Sequence, residues 1–171
     1  MAGPGFVTVY LDTNILIRHF TQDPPDMGRR ATAFLAASET LFLPDLILAE
    51  TVYVLQSVYQ VPRPQVAALS RALIGSRNIA TDDPAPLIRA VDVYEHHRLS
   101  FADAYLVALA ESDPGSVVAS FDKGIGKVGT VRRIEPGRDR LTRSSEVAGS
   151  QPHRCDAPGS PATDAPSTRG T

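Results

Sequence analysis

Short runs of β-branched and apolar residues alternate with longer stretches of helical periodicity along the first 136 residues. The short runs predict buried strands, and the longer stretches, with apolar side chains three or four positions apart, predict helices. The predicted strands are 6–11, 41–44, 78–80, 116–120 and 131–134. The predicted helices are 13–20, 26–38, 45–59, 64–74, 86–98 and 100–112. Strands separated by helices are typical of an α/β fold with a parallel sheet, since parallel neighbours need a crossover connection.

The composition changes after Pro136. From residue 137 to residue 171 the large apolar residues are Leu141 and Val147 only. So little apolar surface cannot offset the entropy of ordering a chain, and this predicts a disordered C-terminal tail over 137–171. Residues 1–136 then form the one folded domain, which suits a total length of 171 residues.

Overall composition excludes several functional classes. Hydrophobic residues make up 43%, and 17 basic against 19 acidic residues give a net charge of −2, which excludes a protein that grips nucleic acid by bulk charge. A single cysteine, Cys155, excludes an internal disulfide framework and a cysteine-rich zinc site. No apolar run approaches the ~20 residues of a membrane helix, and the first residues lack a secretory signal pattern. We therefore expect a cytoplasmic protein without a membrane segment.

Two aspartates follow predicted strands directly. Asp12 ends the first strand in VYLDTN, and Asp122 follows the strand 116–120 in SFDKG. In a parallel α/β sheet, ligands bind at the carboxyl ends of the strands. Each residue also has a simpler interpretation: Asp12 suits the N-cap of a helix, and Asp122 suits an ordinary surface turn.

Two further acids lie on predicted helices. Glu50 sits in LILAETVYVL, a segment that is apolar on almost every face, where an unpaired carboxylate would cost several kcal/mol or take up a proton. We interpret Glu50 as a cation ligand delivered to a cleft; the alternative is a structural ion pair with an arginine. Asp103 opens the helix FADAYLVALA, where it either faces the cleft or simply completes a capping box with Ser100.

Two acids at strand ends and two on helices suggest one convergent acidic pocket. Carboxylates ~4 Å apart repel by about 4 kcal/mol at an effective dielectric near 20, so such a group takes up protons or recruits a cation. Ligands that are all oxygen suit Mg²⁺ or Mn²⁺. This is the arrangement of metal-assisted phosphodiester hydrolysis, in which the ion activates a water and stabilises the leaving oxygen.

Four segments that carry these acids resemble the PIN-domain ribonucleases, and in particular the VapC-type toxins of type II toxin–antitoxin systems. The segments are YLDTNILIR, LAETVYVL, SFADAYLVALA and ASFDKGI, in the family's order. The resemblance implies a three-layer α/β/α sandwich around a central parallel sheet. It also implies that the catalytic and metal-binding set is Asp12, Glu50, Asp103 and Asp122, with Thr13, Asn14 and Ser120 as supporting residues.

The same resemblance implies the partners. Family members cut single-stranded regions of RNA with Mg²⁺ or Mn²⁺, commonly form homodimers, and are silenced by a cognate antitoxin protein. The function expected from it is therefore a metal-dependent endoribonuclease, the toxin of such a module. The tail 137–171 departs from the compact family pattern.

Two other functions stay open. A phosphatase of the haloacid dehalogenase type would use Asp12 as its nucleophile, but that chemistry usually needs a second aspartate where this chain has Asn14. A non-catalytic PIN-like module that binds RNA or protein is the other alternative, although all four acids are present.

Several residues near these segments have less specific interpretations. Arg18, Lys123 and Lys127 could steer phosphates, but a solvated surface is the simpler interpretation. Phe34 and Tyr53 are interpreted as core or dimer contacts rather than as platforms for base stacking.

Overall fold

The computed structural model describes residues 7–139, and all five predicted strands are present in it in shortened form. They are β1 (Val9–Tyr10), β2 (Leu41–Phe42), β3 (Ile79–Ala80), β4 (Val117–Ala119) and β5 (Arg132–Ile134). Backbone hydrogen bonds continue one residue beyond these bounds, since Leu11 N donates to the Phe42 carbonyl and Leu43 N to the Ala80 carbonyl, both at 2.8 Å. The apolar runs were therefore correctly predicted as strands, although their outer residues are not paired.

All six predicted helices are present, with ends close to the predicted ones. They are α1 (Thr13–Thr21), α2 (Pro25–Ala37), α3 (Asp45–Ser57), α4 (Arg63–Ile74), α5 (Pro84–His97) and α6 (Phe101–Ser112). Prolines in the first turns of α2, α4 and α5 suit a position where the backbone N–H has no helical partner. A seventh helix, α7 (Lys123–Gly126), was not predicted because one turn is too short to show periodicity.

All pairings between the described strands are parallel, and the strands form two hydrogen-bonded groups of three and two strands. In the first, the order is β1-β2-β3, with Val9 opposite Leu41 and Leu41 opposite Ile79. In the second, β4 pairs with β5, with Val118 opposite Arg133. The α/β sandwich with a parallel sheet is confirmed, and within residues 7–139 its strands form these two groups rather than one continuous sheet.

The helices pack in a chain of neighbours that holds the core together. α1 contacts α2 and α3, α3 contacts α4 and α6, and α5 lies between α4 and α6. Tyr94 on α5 is almost fully buried; its hydroxyl donates to Gln56 Oε1 at 2.9 Å, and the Arg63 guanidinium lies 4.0 Å from its ring centroid. The core is therefore mainly aliphatic, and the hydroxyl of its buried tyrosine is paired.

α1 and α2 approach each other closely at one glycine. Gln22 ends α1 in a left-handed conformation with φ of 55°, and a Cβ placed on Gly28 of α2 would lie 2.6 Å from the Gln22 Cα. Only a residue without a side chain fits there, so Gly28 sets the distance between the two helices.

All described residues belong to one of the two units into which the chain divides, Met1–Arg140. The predicted tail and Cys155 lie outside the described residues, apart from positions 137–139, so the predicted boundary near Pro136 stays a prediction. Among the residues described, no helix has the length and apolar character that crossing a membrane requires.

Candidate active site

The four predicted acids lie on or directly before helices that are neighbours in space. Asp12 precedes α1, Glu50 is on α3, Asp103 is in the first turn of α6, and Asp122 precedes α7. α1 packs on α3, α3 on α6, and α6 on α7. The fold therefore carries acids that are distant in sequence on one run of neighbouring helices.

A hydrogen bond between Thr13 and Glu50 joins the first two of these elements. Thr13 Oγ1 donates to Glu50 Oε2 at 2.5 Å, across 37 positions of sequence. Thr13 is 7% exposed, and it is one of three buried polar side chains in the described residues, with Thr51 and Ser70. The other two hydroxyls donate to carbonyls of their own helices, whereas Thr13 reaches a carboxylate on another element. This bond places Glu50 beside the residue that follows Asp12.

Glu50 itself is exposed, so the expectation that it lies in an apolar environment is wrong. The core face of α3 is formed by Leu48, Val52 and Leu55, and Glu50 lies on a different face of the helix. Its helical neighbours Leu46 and Tyr53 are 77% and 66% exposed. The alternative of a structural ion pair is not realised either: in the part of the chain described, Glu50 has no basic partner within 4 Å.

Asp12 occupies the N-cap position of α1 without capping it. Its backbone is extended, with φ of −103° and ψ of 150°, and its side chain accepts no capping hydrogen bond. The side chain is exposed. The capping interpretation therefore does not account for Asp12, and its carboxylate is available to a ligand.

Asp103 forms one half of the capping box that the sequence offered as its alternative role: its backbone N–H is capped by Ser100, but its carboxylate accepts from the Ser100 hydroxyl rather than from the Ser100 backbone N–H. Ser100 Oγ accepts from the Asp103 backbone N–H at 3.1 Å and donates to Asp103 Oδ2 at 2.6 Å. This bond fixes the side chain and engages one carboxylate oxygen.

Asp122 caps the short helix α7. Its Oδ1 accepts from the Gly124 backbone N–H at 2.7 Å, and its own N–H donates to Ser120 Oγ at 3.0 Å. Ser120 is in turn held to β5, since its backbone N–H donates to the Ile134 carbonyl at 3.0 Å. Ser120 thus fixes the backbone of Asp122. The turn role expected for Asp122 is present, and it occupies one of the two carboxylate oxygens.

The donor chemistry of these residues suits a hard divalent cation, since it consists of carboxylate oxygens with neutral hydroxyl and amide groups beside them. As the side chains stand, however, no three Asp, Glu, His or Cys side chains within residues 7–139 are grouped so that they could hold a metal ion. The structure brings Glu50 to Thr13, next to Asp12, and leaves Asp103 and Asp122 engaged in their local capping bonds.

Comparison with known protein families matches residues 9–131 to the PIN domain. The chain belongs to the PIN domain family. PIN domains are typically nucleases that act on RNA, and they generally use divalent metal ions. The match spans all four predicted acids. No curated protein matches the chain.

One polar pair of this PIN domain was not found from the sequence. The Tyr105 hydroxyl on α6 donates to Asp45 Oδ2 at the start of α3, and Asp45 Oδ1 is buried without a partner in the described residues. The bond to Asp45 raises the pKa of Tyr105 to about 12, helped by burial and by the charges of Asp82 and Asp83. The strand-end argument applied to Asp12 would have pointed to Asp45, which follows β2. The pair ties together the two helices that carry Glu50 and Asp103.

The aromatic and basic residues near the PIN motifs are mostly exposed. Phe34 and Tyr53 are 41% and 66% exposed, so the interpretation of either as a core residue is wrong. Lys123 and Lys127 are exposed, which is the solvated surface that the sequence suggested, and Arg18 is half-buried on α1.

Proposed function

We propose that this PIN domain is a metal-dependent endoribonuclease that acts in the cytoplasm as the toxin of a type II toxin–antitoxin module. The observation that carries the proposal is the Thr13–Glu50 hydrogen bond, which brings an acid of α3 to the chain segment of Asp12. No base neutralises Glu50 among the described residues, so its carboxylate keeps a charge that a cation can satisfy.

The four acids would hold Mg²⁺ or Mn²⁺ through their carboxylate oxygens. Asp12 and Glu50 are both exposed, so an ion can reach them without a rearrangement of the core. Asp103 and Asp122 each keep one carboxylate oxygen outside the capping bonds described above. Their capping bonds restrict the side chains to one orientation, which reduces the entropy lost when a ligand binds.

When bound, the ion supplies an activated water at neutral pH and stabilises the leaving oxygen of the phosphodiester. The residues around it have separate tasks. Thr13 holds the Glu50 carboxylate in position through its hydroxyl, and Ser100 does the same for Asp103. Ser120 instead accepts from the Asp122 backbone N–H, while the Gly124 N–H holds the Asp122 carboxylate. One of the four carboxylates also accepts a proton from the attacking water as general base.

The toxin assignment and the partners rest on the resemblance of four segments to VapC-type toxins. Expected partners are an RNA substrate, a cognate antitoxin protein and a second copy of this chain. Large apolar side chains are exposed on α3 and α6, and surfaces of this kind mark contacts with other proteins. They are Leu46, Tyr53, Leu106 and Leu109.

The test is cleavage of RNA by the purified protein with Mg²⁺ or Mn²⁺. We expect cleavage that EDTA abolishes and that is lost in Asp12→Asn and in Glu50→Gln. Glu39→Gln is the matched control, because Glu39 is an exposed acid outside the four motif segments, and this variant should cleave normally. RNA that stays intact with every divalent ion, while p-nitrophenyl phosphate is hydrolysed, would transfer the assignment to a phosphatase.

A non-catalytic RNA-binding module is the second candidate, and one observation favours it: the acids are not grouped for a metal within residues 7–139. Such a module would bind RNA with the same affinity in the presence and absence of Mn²⁺ and would cleave none. The nuclease assignment predicts instead that Mn²⁺ binds and that cleavage follows.

The toxin role has its own test in cells. Expression of the chain should arrest growth, expression of Glu50→Gln should not, and the product of a short neighbouring gene should relieve the arrest. If the protein cleaves RNA in vitro but cells that express it fully continue to grow, the nuclease assignment stands and the toxin assignment is wrong.

A further inference from the structure

A cavity of about 610 Å³ lies between α1 and α2, next to the candidate site. α1 contributes Asn14 and Arg18, and α2 contributes Met27, Arg30 and Phe34. The size is within the range of pockets that bind small ligands, which are mostly apolar with a few polar groups. None of the residues that hold the ion in the proposed function lines this cavity.

The apolar wall of the cavity is unusually accessible. Met27 is 47% exposed and Phe34 is 41% exposed, although both lie on a helix whose other large apolar residue, Leu35, is buried. A flat aromatic ring at the surface of a pocket offers a stacking face for a nucleobase. This wall of the cavity therefore suits an aromatic ligand.

The rim of the cavity carries two arginines that no carboxylate neutralises. Within residues 7–139, neither Arg18 nor Arg30 has an acidic side chain within 4 Å, and Arg18 donates to the backbone carbonyl of Asp23 instead. By contrast, Arg71 and Arg89 are each held by carboxylates. An arginine without an acidic partner presents its planar fork to phosphate oxygens, which it binds in pairs.

The cavity adjoins the candidate active site through Asn14. Asn14 lines the cavity and lies two residues after Asp12, directly after the Thr13 that holds Glu50. A strand whose phosphate reaches Asp12 therefore has its next nucleotide near this cavity. The Asn14 amide can donate and accept, which suits the edge of a base or a ribose hydroxyl.

We propose that the α1–α2 cavity is a subsite for one unpaired nucleotide of the RNA substrate, next to the scissile phosphate. The base stacks on Phe34, and Arg18 and Arg30 bind the flanking phosphates. The inference rests on the proposed ribonuclease function and adds the residues that select the substrate. A base inside a duplex cannot reach a stacking ring, so the subsite also accounts for a preference for single strands.

The test measures binding of a short, fluorescently labelled single-stranded RNA by anisotropy, in EDTA so that no cleavage occurs. Phe34→Leu keeps the apolar bulk and removes the aromatic face, and we expect about 5- to 100-fold weaker binding. Arg18→Gln combined with Arg30→Gln should lower the slope of log K against log salt by about 1.4, the value for two lost contacts to single-strand phosphates. Arg29→Gln is the matched control for Arg30→Gln measured alone, because Arg29 is an exposed neighbour on α2 outside the cavity, and it should change the slope less than Arg30→Gln does.

The possible results separate the two proposals. If the unaltered protein cleaves RNA and all these variants bind and cleave like it, the subsite is refuted while the nuclease stands. If the variants lose binding but the unaltered protein never cleaves RNA, the subsite stands in a binding module. If RNA binding is unchanged and the variants instead lose a protein partner, the cavity is a protein-docking site and the proposal is wrong.

A second measurement does not depend on variants. An RNA that contains one 4-thiouridine, irradiated in complex with the unaltered protein, should crosslink to peptides of α1 or α2 when the label is next to the cleaved bond. Crosslinks found only elsewhere would overturn the assignment.

Discussion

Carboxylates in two regions of this molecule have opposite surroundings. The first group, called the α4–α6 acids, consists of Asp92, Glu95 and Glu111, and each is bound by an arginine. Arg71 Nη2 lies 2.5 Å from Asp92 and 2.7 Å from Glu95, and Arg89 binds Glu111 through two bonds of 2.5 and 2.8 Å. These pairs join α4 to α5 and α5 to α6. The hydrogen bond from Arg89 lowers the pKa of Glu111, which is the mark of a carboxylate stabilised by its partner.

Three carboxylates at the candidate site have hydroxyl or backbone N–H partners instead, and the side chain of Asp12 accepts no capping bond. Within residues 7–139 none of the four has a salt bridge: Asp12, Glu50, Asp103 and Asp122. A hydroxyl orients a carboxylate without neutralising its charge. The difference indicates that the α4–α6 acids hold the fold together, while the site acids keep a negative charge that a cation can satisfy.

The largest expected effect is that one variant loses activity and the other loses stability. Glu50→Gln should lower kcat/KM for RNA at least about 100-fold, a loss as large as those measured around metal sites, and leave the free energy of unfolding unchanged. Glu111→Gln should do the opposite, with normal cleavage and lower stability. The measurements are cleavage rates and denaturant unfolding of both variants. Equal losses of activity in the two would mean that the regions do not differ in role.

Removal of the hydroxyl of Thr13 should give the next largest effect. Thr13→Val keeps the buried shape but cannot donate to Glu50, so we expect about 10- to 100-fold weaker Mn²⁺ binding, as for other residues that orient metal ligands. Thr13→Ser keeps the hydroxyl and should restore most of the affinity. Isothermal titration calorimetry with Mn²⁺ measures the affinity of both variants. The same affinity in Thr13→Val as in the unaltered protein would show that the bond does not position Glu50.

A stability effect should follow at the pair that joins α3 to α6. Tyr105→Phe leaves Asp45 without its hydroxyl donor and should cost about 1–3 kcal/mol. Because the pKa of Tyr105 is raised to about 12 in the folded protein, this stabilisation is complete below the ordinary value of 10. It should fall as the pH rises from 10 towards 12. Chemical unfolding of both proteins at neutral pH and at pH 11 gives the difference, and a difference that grows with pH would contradict the assignment.

The smallest expected effect is the acid sensitivity of the Arg89–Glu111 pair. The pKa of Glu111 is lowered by Arg89, so the pair stabilises the fold above the ordinary pKa of 4.5 and loses this contribution as the pH falls below it. At neutral pH Glu111→Gln should cost about 1 kcal/mol, since the pair is partly exposed. Thermal unfolding at pH 7 and pH 3 should show the two proteins converging at the lower pH.

The pattern of the sequence was sufficient for the six longer helices and for the positions of the five strands in the described residues, because periodicity and apolar runs are local properties. It failed at Glu50, since α3 is apolar on most faces and only packing decides which face is buried. It could not show that Arg89 binds Glu111, because those residues are 22 positions apart. Such pairing depends on how α5 and α6 are packed, and no local pattern records it.

Strand ends were the most useful local signal for the site. They point to Asp12 and Asp122 as candidates, and the same argument applies to Asp45, which follows β2. The Thr13–Glu50 bond joins residues 37 positions apart, so no local pattern predicted it, and the resemblance implied only that Thr13 is a supporting residue.

The most direct test of the metal site is anomalous diffraction from crystals of the protein soaked in Mn²⁺. We predict one or two Mn²⁺ peaks with carboxylate oxygens of Asp12 and Glu50 among their ligands, and Asp103 and Asp122 turned towards them. Peaks beside Asp45, Asp82 and Asp83 alone, or no peak at saturating Mn²⁺, would contradict the account.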